Sequence, residues 1–267
     1  MSYFDHPAHS QLDLRQARRV FTFGDVHGEL KHLEAEMARV GFDADHGDFM
    51  IGLGDWLDRG PDADVIADFI EARRHCLAFV VGNHELLLKD FSVPRDGGYH
   101  PYNLIRNGGQ WINPYVIDEE GPHDLPVLND EGRRIRDAVC KAPIAITAIT
   151  PAGRKIGFVH AGVPEVDGEL DWNRFVELLE QEGGFPGQAA KLALWERDQI
   201  EVAKLHVSMG QTRSDRLTVR NADHVFHGHN IVEEPIVYNN ISWIDTGAYR
   251  TGNLTFVEVD TWVAEHS

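Results

Sequence analysis

Five short segments carry residues able to do chemistry: Asp25-Val26-His27-Gly28, Asp55-Trp56-Leu57-Asp58-Arg59-Gly60, Asn83-His84-Glu85, His160-Ala161-Gly162 and His227-Gly228-His229. Each closes an apolar run with a group that binds metal through oxygen or an imidazole nitrogen. Mixed carboxylate, amide and imidazole donors suit manganese, iron, zinc or nickel better than calcium or a thiolate-bound structural zinc. Three histidines, two aspartates and one asparagine are enough ligands for two ions. A carboxylate at the central strand end can bridge them at the ~3.5–4 Å separation of two-metal hydrolases. Taken singly, an Asp or Asn after a strand is a turn residue; three in series with histidines at fixed offsets are not explained that way.

The elements that must position these groups follow from periodicity. Val20–Phe23, Phe49–Leu53 and Leu77–Val81 are near-continuous apolar runs, the pattern of strands buried on both faces of a parallel sheet. Between them Leu30, Leu33, Met37 and Val40 keep helical spacing, with Gly41 at the expected stop. Pro61 followed by Val65, Ile66, Phe69 and Ile70 predicts a second helix with proline in its first turn. Asp25, Asp55 and Asn83 are 30 and then 28 residues apart, one βαβ unit per interval. In such sheets the loops after the strand C-termini meet at one edge, where ligands bind. Further β-type runs lie at 144–149, 155–159, 224–226, 241–244 and 254–259. The stretch 91–142 mixes Gly, Pro, aromatic and charged residues, with a helix expected near 131–141. It is too long for a plain connector and is expected to be a cap or substrate-side insertion. Residues 1–17 are expected to be a frayed or loosely docked lead-in ending in Arg15, Arg18 and Arg19. One α/β domain over 1–267 is expected, since no composition break divides the chain.

Composition narrows the function classes. Of 267 residues, 42% are hydrophobic and 25% charged, enough apolar material for a substantial core. A net charge of −18 argues against a broad nucleic-acid-binding surface, though not against a local basic pocket. Two cysteines, Cys76 and Cys140, make no disulfide framework, which suits a reducing compartment. The start of the chain carries no basic region followed by an apolar stretch, and no window reaches the ~18 apolar residues of a membrane span. A cytoplasmic protein with no membrane partner is expected. His6, His9, His32, His46 and His75 are expected at the surface.

The ordered set Gly24-Asp25-Val26-His27-Gly28, Gly54-Asp55-Trp56-Leu57-Asp58-Arg59-Gly60 and Gly82-Asn83-His84-Glu85 resembles the calcineurin-like metallophosphoesterases. More narrowly, it resembles their phosphoprotein phosphatase branch, which includes phage and bacterial serine/threonine phosphatases. The resemblance continues through Asn107-Gly108-Gly109-Gln110-Trp111, Leu194-Trp195-Glu196-Arg197, Gly228-His229, Ile244-Asp245-Thr246-Gly247-Ala248 and Gly252-Asn253-Leu254-Thr255, spanning roughly 20–259. It implies an α/β sandwich of two β-sheets flanked by helices and a dinuclear centre. Asp25, His27 and His229 are then expected to hold the first metal, Asp55 to bridge, and Asn83 and His160 to complete the second. His84, paired with Asp58, is expected to protonate or orient the leaving oxygen, and Arg59 and Arg197 to grip the phosphate. Two divalent ions are expected, Mn²⁺ first, with Fe, Zn or Ni as alternatives.

These roles are chemically self-consistent. A water between two cations loses proton affinity and attacks phosphorus in line, so no protein nucleophile or phosphoenzyme is needed. The two guanidinium forks stabilise phosphoryl charge, and an imidazole oriented by Asp58 supplies the leaving group's proton. Two departures from the family stand out. His227 adds a second imidazole beside His229; the ligand is assigned to His229 because it follows the glycine. Trp56 is large for the position after the bridging carboxylate and is expected to pack behind the site. The expected substrate is phosphoserine or phosphothreonine, with phosphotyrosine as an extension. A bis(5'-nucleosyl)-tetraphosphate hydrolase on the same centre is the alternative; Asp58 and Glu85 favour the phosphatase over it. A non-catalytic metal-binding scaffold is a third class, and no loss of a ligand, of His84 or of Asp58 points to it.

Overall fold

The computed structural model describes residues 8–94, 98–185, 187–211 and 214–267. Two β-sheets form the frame. The first has four strands in the order Phe256–Glu258, Arg19–Phe23, Asp48–Gly52, Leu77–Phe79. Its last three are parallel, with Phe21 opposite Met50 and Ile51 opposite Ala78. The second has six strands, in the order His9–Asp13, Ala145–Ile149, Lys155–Val159, His224–His227, Ile241–Trp243, Ile236–Tyr238.

Side-chain alternation explains why these strands are apolar throughout. Val20, Ile51 and Val80 of the first sheet meet Ile146, Ala148, Ile156, Phe158 and Phe226 of the second in one buried layer. The alternate residues, Phe21, Phe23 and Met50 on one side and Val159, Val225 and Trp243 on the other, pack outward under helices. Period-two alternation thus feeds two apolar layers from each strand. Helices Leu30–Arg39 and Ala63–Ala72 connect the parallel strands of the first sheet. The first ends as expected: Gly41 takes φ +60°, and the Phe42 N–H closes back on the Met37 carbonyl. Helix Trp172–Gln181 carries Trp172, Phe175 and Leu179 into the outer core.

Three expectations change. The lead-in is docked: His9–Asp13 is an edge strand running parallel to Ala145–Ile149 through five paired residues. Polar composition hid it, because an edge strand needs one apolar face only. His9 is accordingly buried, with Nε2 2.8 Å from Thr147 Oγ1, whereas His46 and His75 are exposed. His6 lies outside the described residues. Pro61 stands before the N-cap Asp62 rather than within the first turn of helix Ala63–Ala72.

The stretch 91–142 adds helices Tyr102–Arg106 and Asp130–Cys140, a 3-10 turn at Gly109–Tyr115 and a hairpin pairing Val116–Asp118 with Val127–Leu128. The Asn129 side chain caps the second helix through the Gly132 N–H. Both cysteines are buried, and neither is in a disulfide among the described residues.

Candidate active site

The C-terminal ends of strands from both sheets meet at one edge. Asp25, Asp55 and Asn83 come from the four-stranded sheet and His160 and His229 from the six-stranded one. All five are buried. The turns that present them are tight: His27, Asp55, Asp58, Arg59 and His229 have φ of +44°, +50°, +69°, +72° and +61°. Non-glycine residues held in the left-handed region concentrate where geometry serves function. Two glycines let the turns close on the carboxylates. A Cβ on Gly82 would lie 2.1 Å from Asp55 Oδ1, and one on Gly228 2.2 Å from Asp25 Oδ1.

One helical turn aims three side chains in three directions. Helix Asn83–Ser92 opens with Asn83, whose Oδ1 lies 3.0 Å from His160 Nε2. Next, His84 Nδ1 reaches Asp58 Oδ2 at 2.6 Å. Glu85 turns back and accepts the N–H groups of Asp55, Trp56 and Gly82 at 2.8, 2.8 and 2.7 Å. Burial and the Asp55 charge push Glu85 up to about 8, against three donors that favour its ionised form.

The backbone sets the imidazole tautomers. His27 Nδ1 lies 2.8 Å from the Leu57 carbonyl and His160 Nδ1 2.7 Å from that of Leu53, so each donates there and turns a lone pair on Nε2 inward. Arg59 donates to His27 Nε2 at 2.7 Å and His84 Nε2 at 2.8 Å, with its guanidinium 4.6 Å from the Tyr249 ring centroid.

This donor set fits divalent cations. Ligating atoms of His27, Asp55 and His84, and again of Asp55, His160 and His229, lie within 4.8 Å of one another, and Asp55 is common to both groups. His229 Nε2 is buried without a hydrogen-bond partner. Burial lowers His27 to about 3 and His229 to about 2, leaving neutral rings of the kind metals bind. Burial also raises Asp25 well above the usual carboxylate range, with Asp245 and Asp55 adding to it. Crowded buried carboxylates of this kind are relieved by a cation. Asp55 is the exception: burial opposes its charge, but His160, His84, His27 and His229 together hold it far below the ordinary value.

The convergence of ligand atoms differs from the expected grouping at His229. The His229 ring packs against His160, centroids 4.9 Å apart, and converges with Asp55 rather than with His27. Only its backbone N–H meets Asp25, at 3.0 Å from Oδ1. The cause is topological, since His160 and His229 follow adjacent strands of one sheet. His227 points away: Nδ1 lies 3.1 Å from the Val159 carbonyl and the ring stacks near Trp243. Trp56 packs behind the loop against Phe23 and Phe79, with no exposed surface.

A cavity of about 610 Å³ opens over these groups. Arg59 and Arg197 both line it, and Arg197 Nη1 donates to Asn230 Oδ1 at 3.3 Å. Asn230 also donates from Nδ2 to the Glu196 carbonyl at 3.1 Å, tying the loop after His229 to the Arg197 segment. Sequence reasoning missed Asn230, Tyr249 and the hydrogen-bonding role of Trp111. Their positions adjoin segments with family resemblance, but their contacts cross the fold and leave no periodic signal.

A two-sheet α/β sandwich with groups of oxygen and imidazole donors at its strand ends is an arrangement suited to a metal-dependent phosphoesterase. The calcineurin-like phosphoesterase family model matches residues 18–233, and the chain belongs to that family. It is a divalent-metal-dependent hydrolase of phosphoester bonds, and the scaffold alternative falls away. Serine/threonine-protein phosphatase 2 of Salmonella typhimurium is 25% identical over 242 residues, covering 91% of this chain and 93% of that protein. Symmetrical bis(5'-nucleosyl)-tetraphosphatase of Proteus mirabilis is 37% identical over 68 residues, 26% of this chain and 24% of that protein. A protein serine/threonine phosphatase from Saccharomyces cerevisiae shares the fold, with a TM-score of 0.58 at 12% identity over 96% of this chain and 78% of its own. No helix among the described residues is long and apolar enough to cross a membrane.

Proposed function

We propose that this hydrolase is a phosphomonoesterase removing phosphate from phosphoserine and phosphothreonine. The observation that carries it is the buried His84–Asp58 pair at 2.6 Å beside Arg59, an acid and an anion grip on one wall of the cavity. Near full-length similarity to enzymes named serine/threonine-protein phosphatases supports it.

In this mechanism Asp25 and His27 would hold one ion and Asn83, His160 and His229 the other, with Asp55 shared between them. Manganese is the proposed metal, in keeping with mixed oxygen and imidazole donors. When bound, the ions neutralise phosphoryl charge and supply an acidified water as nucleophile. Arg59 and Arg197 orient the phosphate by bidentate hydrogen bonds. Burial opposes the charge on His84, but Asp55 and Asp58 raise its pKa above the ordinary imidazole value. In the free enzyme Nε2 faces Arg59 while Asp58 fixes Nδ1–H; once Arg59 turns to the phosphate, a proton on Nε2 can be passed to the leaving alkoxide. Asp58 keeps the ring oriented throughout.

The alternative reading, a hydrolase of dinucleoside tetraphosphates on the same site, is supported by the 68-residue match to symmetrical tetraphosphatases. The deciding experiment compares phosphoserine peptide and diadenosine tetraphosphate on metal-stripped protein given Mn²⁺. Faster release from the peptide is expected; faster dinucleotide cleavage overturns the protein phosphatase assignment.

A further inference from the structure

Helix Asp198–Ser208 begins beside Arg197, its N-cap residue, and buries Ile200 and Ala203 on its inner side. A different face of the same helix looks into the catalytic cavity. Arg197, Glu201 and Lys204 all line that cavity, at the i, i+4, i+7 spacing of a single helical stripe. Lys204 Nζ pairs with Glu201 Oε1 at 2.8 Å, and both side chains keep water contact, 39% and 66% exposed. In a chain of net charge −18, a third cation inside this cavity is a selective feature.

Seven residue steps lead from Arg197, at the N-cap, to Lys204, about 10 Å at 1.5 Å per step. An extended peptide covers that distance in about three residues at ~3.3 Å each. We propose that Lys204 is a specificity-determining residue that receives a second anionic group of the substrate, an acidic side chain three residues from the phosphorylated one. Glu201 holds Lys204 over the cavity in the free enzyme and gives it up to the incoming carboxylate. Because Glu201 repels that carboxylate, it also tempers the preference. This inference rests on the phosphopeptide assignment above.

The test uses phosphoserine peptides with one Asp three residues before or after the phosphoserine, each matched to its Asn counterpart. The readout is the Asp:Asn ratio of kcat/KM at low ionic strength, which cancels any difference in the fraction of active enzyme. For the unsubstituted enzyme we expect a ratio of about threefold to fivefold in one of the two registers, fading as salt screens the pair. Lys204→Gln brings the ratio to about one, Lys204→Glu inverts it, and Glu201→Gln increases it. Peptides cleaved with no Asp preference, or a preference that survives Lys204→Glu, overturn the inference and leave the phosphatase assignment intact. If peptides are not cleaved while diadenosine tetraphosphate is, the phosphatase assignment fails. The second-anion role is then judged by the dinucleotide: an unchanged KM in Lys204→Glu overturns it, and a several-fold rise supports it with a distal phosphate as the anion.

Discussion

Trp111 Nε1 donates to Asp58 Oδ1 at 2.6 Å, while Asp58 Oδ2 lies 2.6 Å from His84 Nδ1. The 91–142 stretch thus reaches into the active site and fixes the carboxylate that orients the imidazole. Its next contact is equally direct, since the Arg59 N–H donates to the Gly108 carbonyl at 3.0 Å. The left-handed Asp58-Arg59 turn is held from outside, by a segment that follows it by some fifty residues.

Replacing Trp111 by Phe keeps the ring and removes the donor. The orphaned buried Asp58 oxygen costs about 1–3 kcal/mol of stability, read as a lower Tm. We expect kcat to fall about fivefold as the His84 ring loses its fixed orientation. Full stability with unchanged kcat would show that the Trp111–Asp58 contact serves neither purpose.

His84→Asn retains a polar side chain but cannot supply the proton. Turnover on phosphoserine, a poor leaving group, should drop by about 10²–10⁴-fold, and on p-nitrophenyl phosphate far less. Metal content should stay at the unsubstituted level. Equal losses on the two substrates count against proton donation, and a loss of metal makes His84 a ligand, as its proximity to His27 and Asp55 would then imply.

Metal stoichiometry tests the grouping of ligands. Asp55→Asn, at the position shared by both groups, should deplete both ions. His229→Ala should deplete one and spare the ion held by Asp25 and His27. Elemental analysis after gel filtration gives the counts; His160→Ala combined with His229→Ala should still deplete only one ion, and loss of both ions in that double variant would restore the grouping expected from sequence.

Asp48 governs acid stability away from the site. Its side chain is fully buried and accepts from Arg18 and Arg19, with contacts of 2.5 and 2.6 Å. Burial opposes its charge, but the two guanidinium groups hold it well below the ordinary carboxylate value. A folded pKa below the unfolded one means the stabilisation is complete above the unfolded value of ~4 and is lost as pH falls through the folded one. Asp48→Asn should cost about 1–2 kcal/mol at neutral pH, because it takes the anion from two guanidinium groups that keep partial contact with water. It should also flatten the pH dependence of unfolding below pH 4. An unchanged acid profile would place that dependence on other carboxylates.

Local pattern in the sequence marks most of the strands and helices and the types of the reactive groups, though not the polar edge strand His9–Asp13. Asp25, Asp55 and Asn83 are legible because each ends a strand within one local βαβ unit, and the apolar runs before them alternate between two cores. Histidines at fixed offsets made His27 and His84 readable in the same way. Tertiary structure alone decided which groups share a point in space. His229 joins His160 because their strands are neighbours in the six-stranded sheet, and His227 turns away because strand alternation sends it to the opposite face. Trp111 finds Asp58, and His9 finds Thr147, across separations of 53 and 138 residues. No periodicity encodes such contacts: they are set by how two sheets and an inserted segment pack, and packing depends on the whole chain at once.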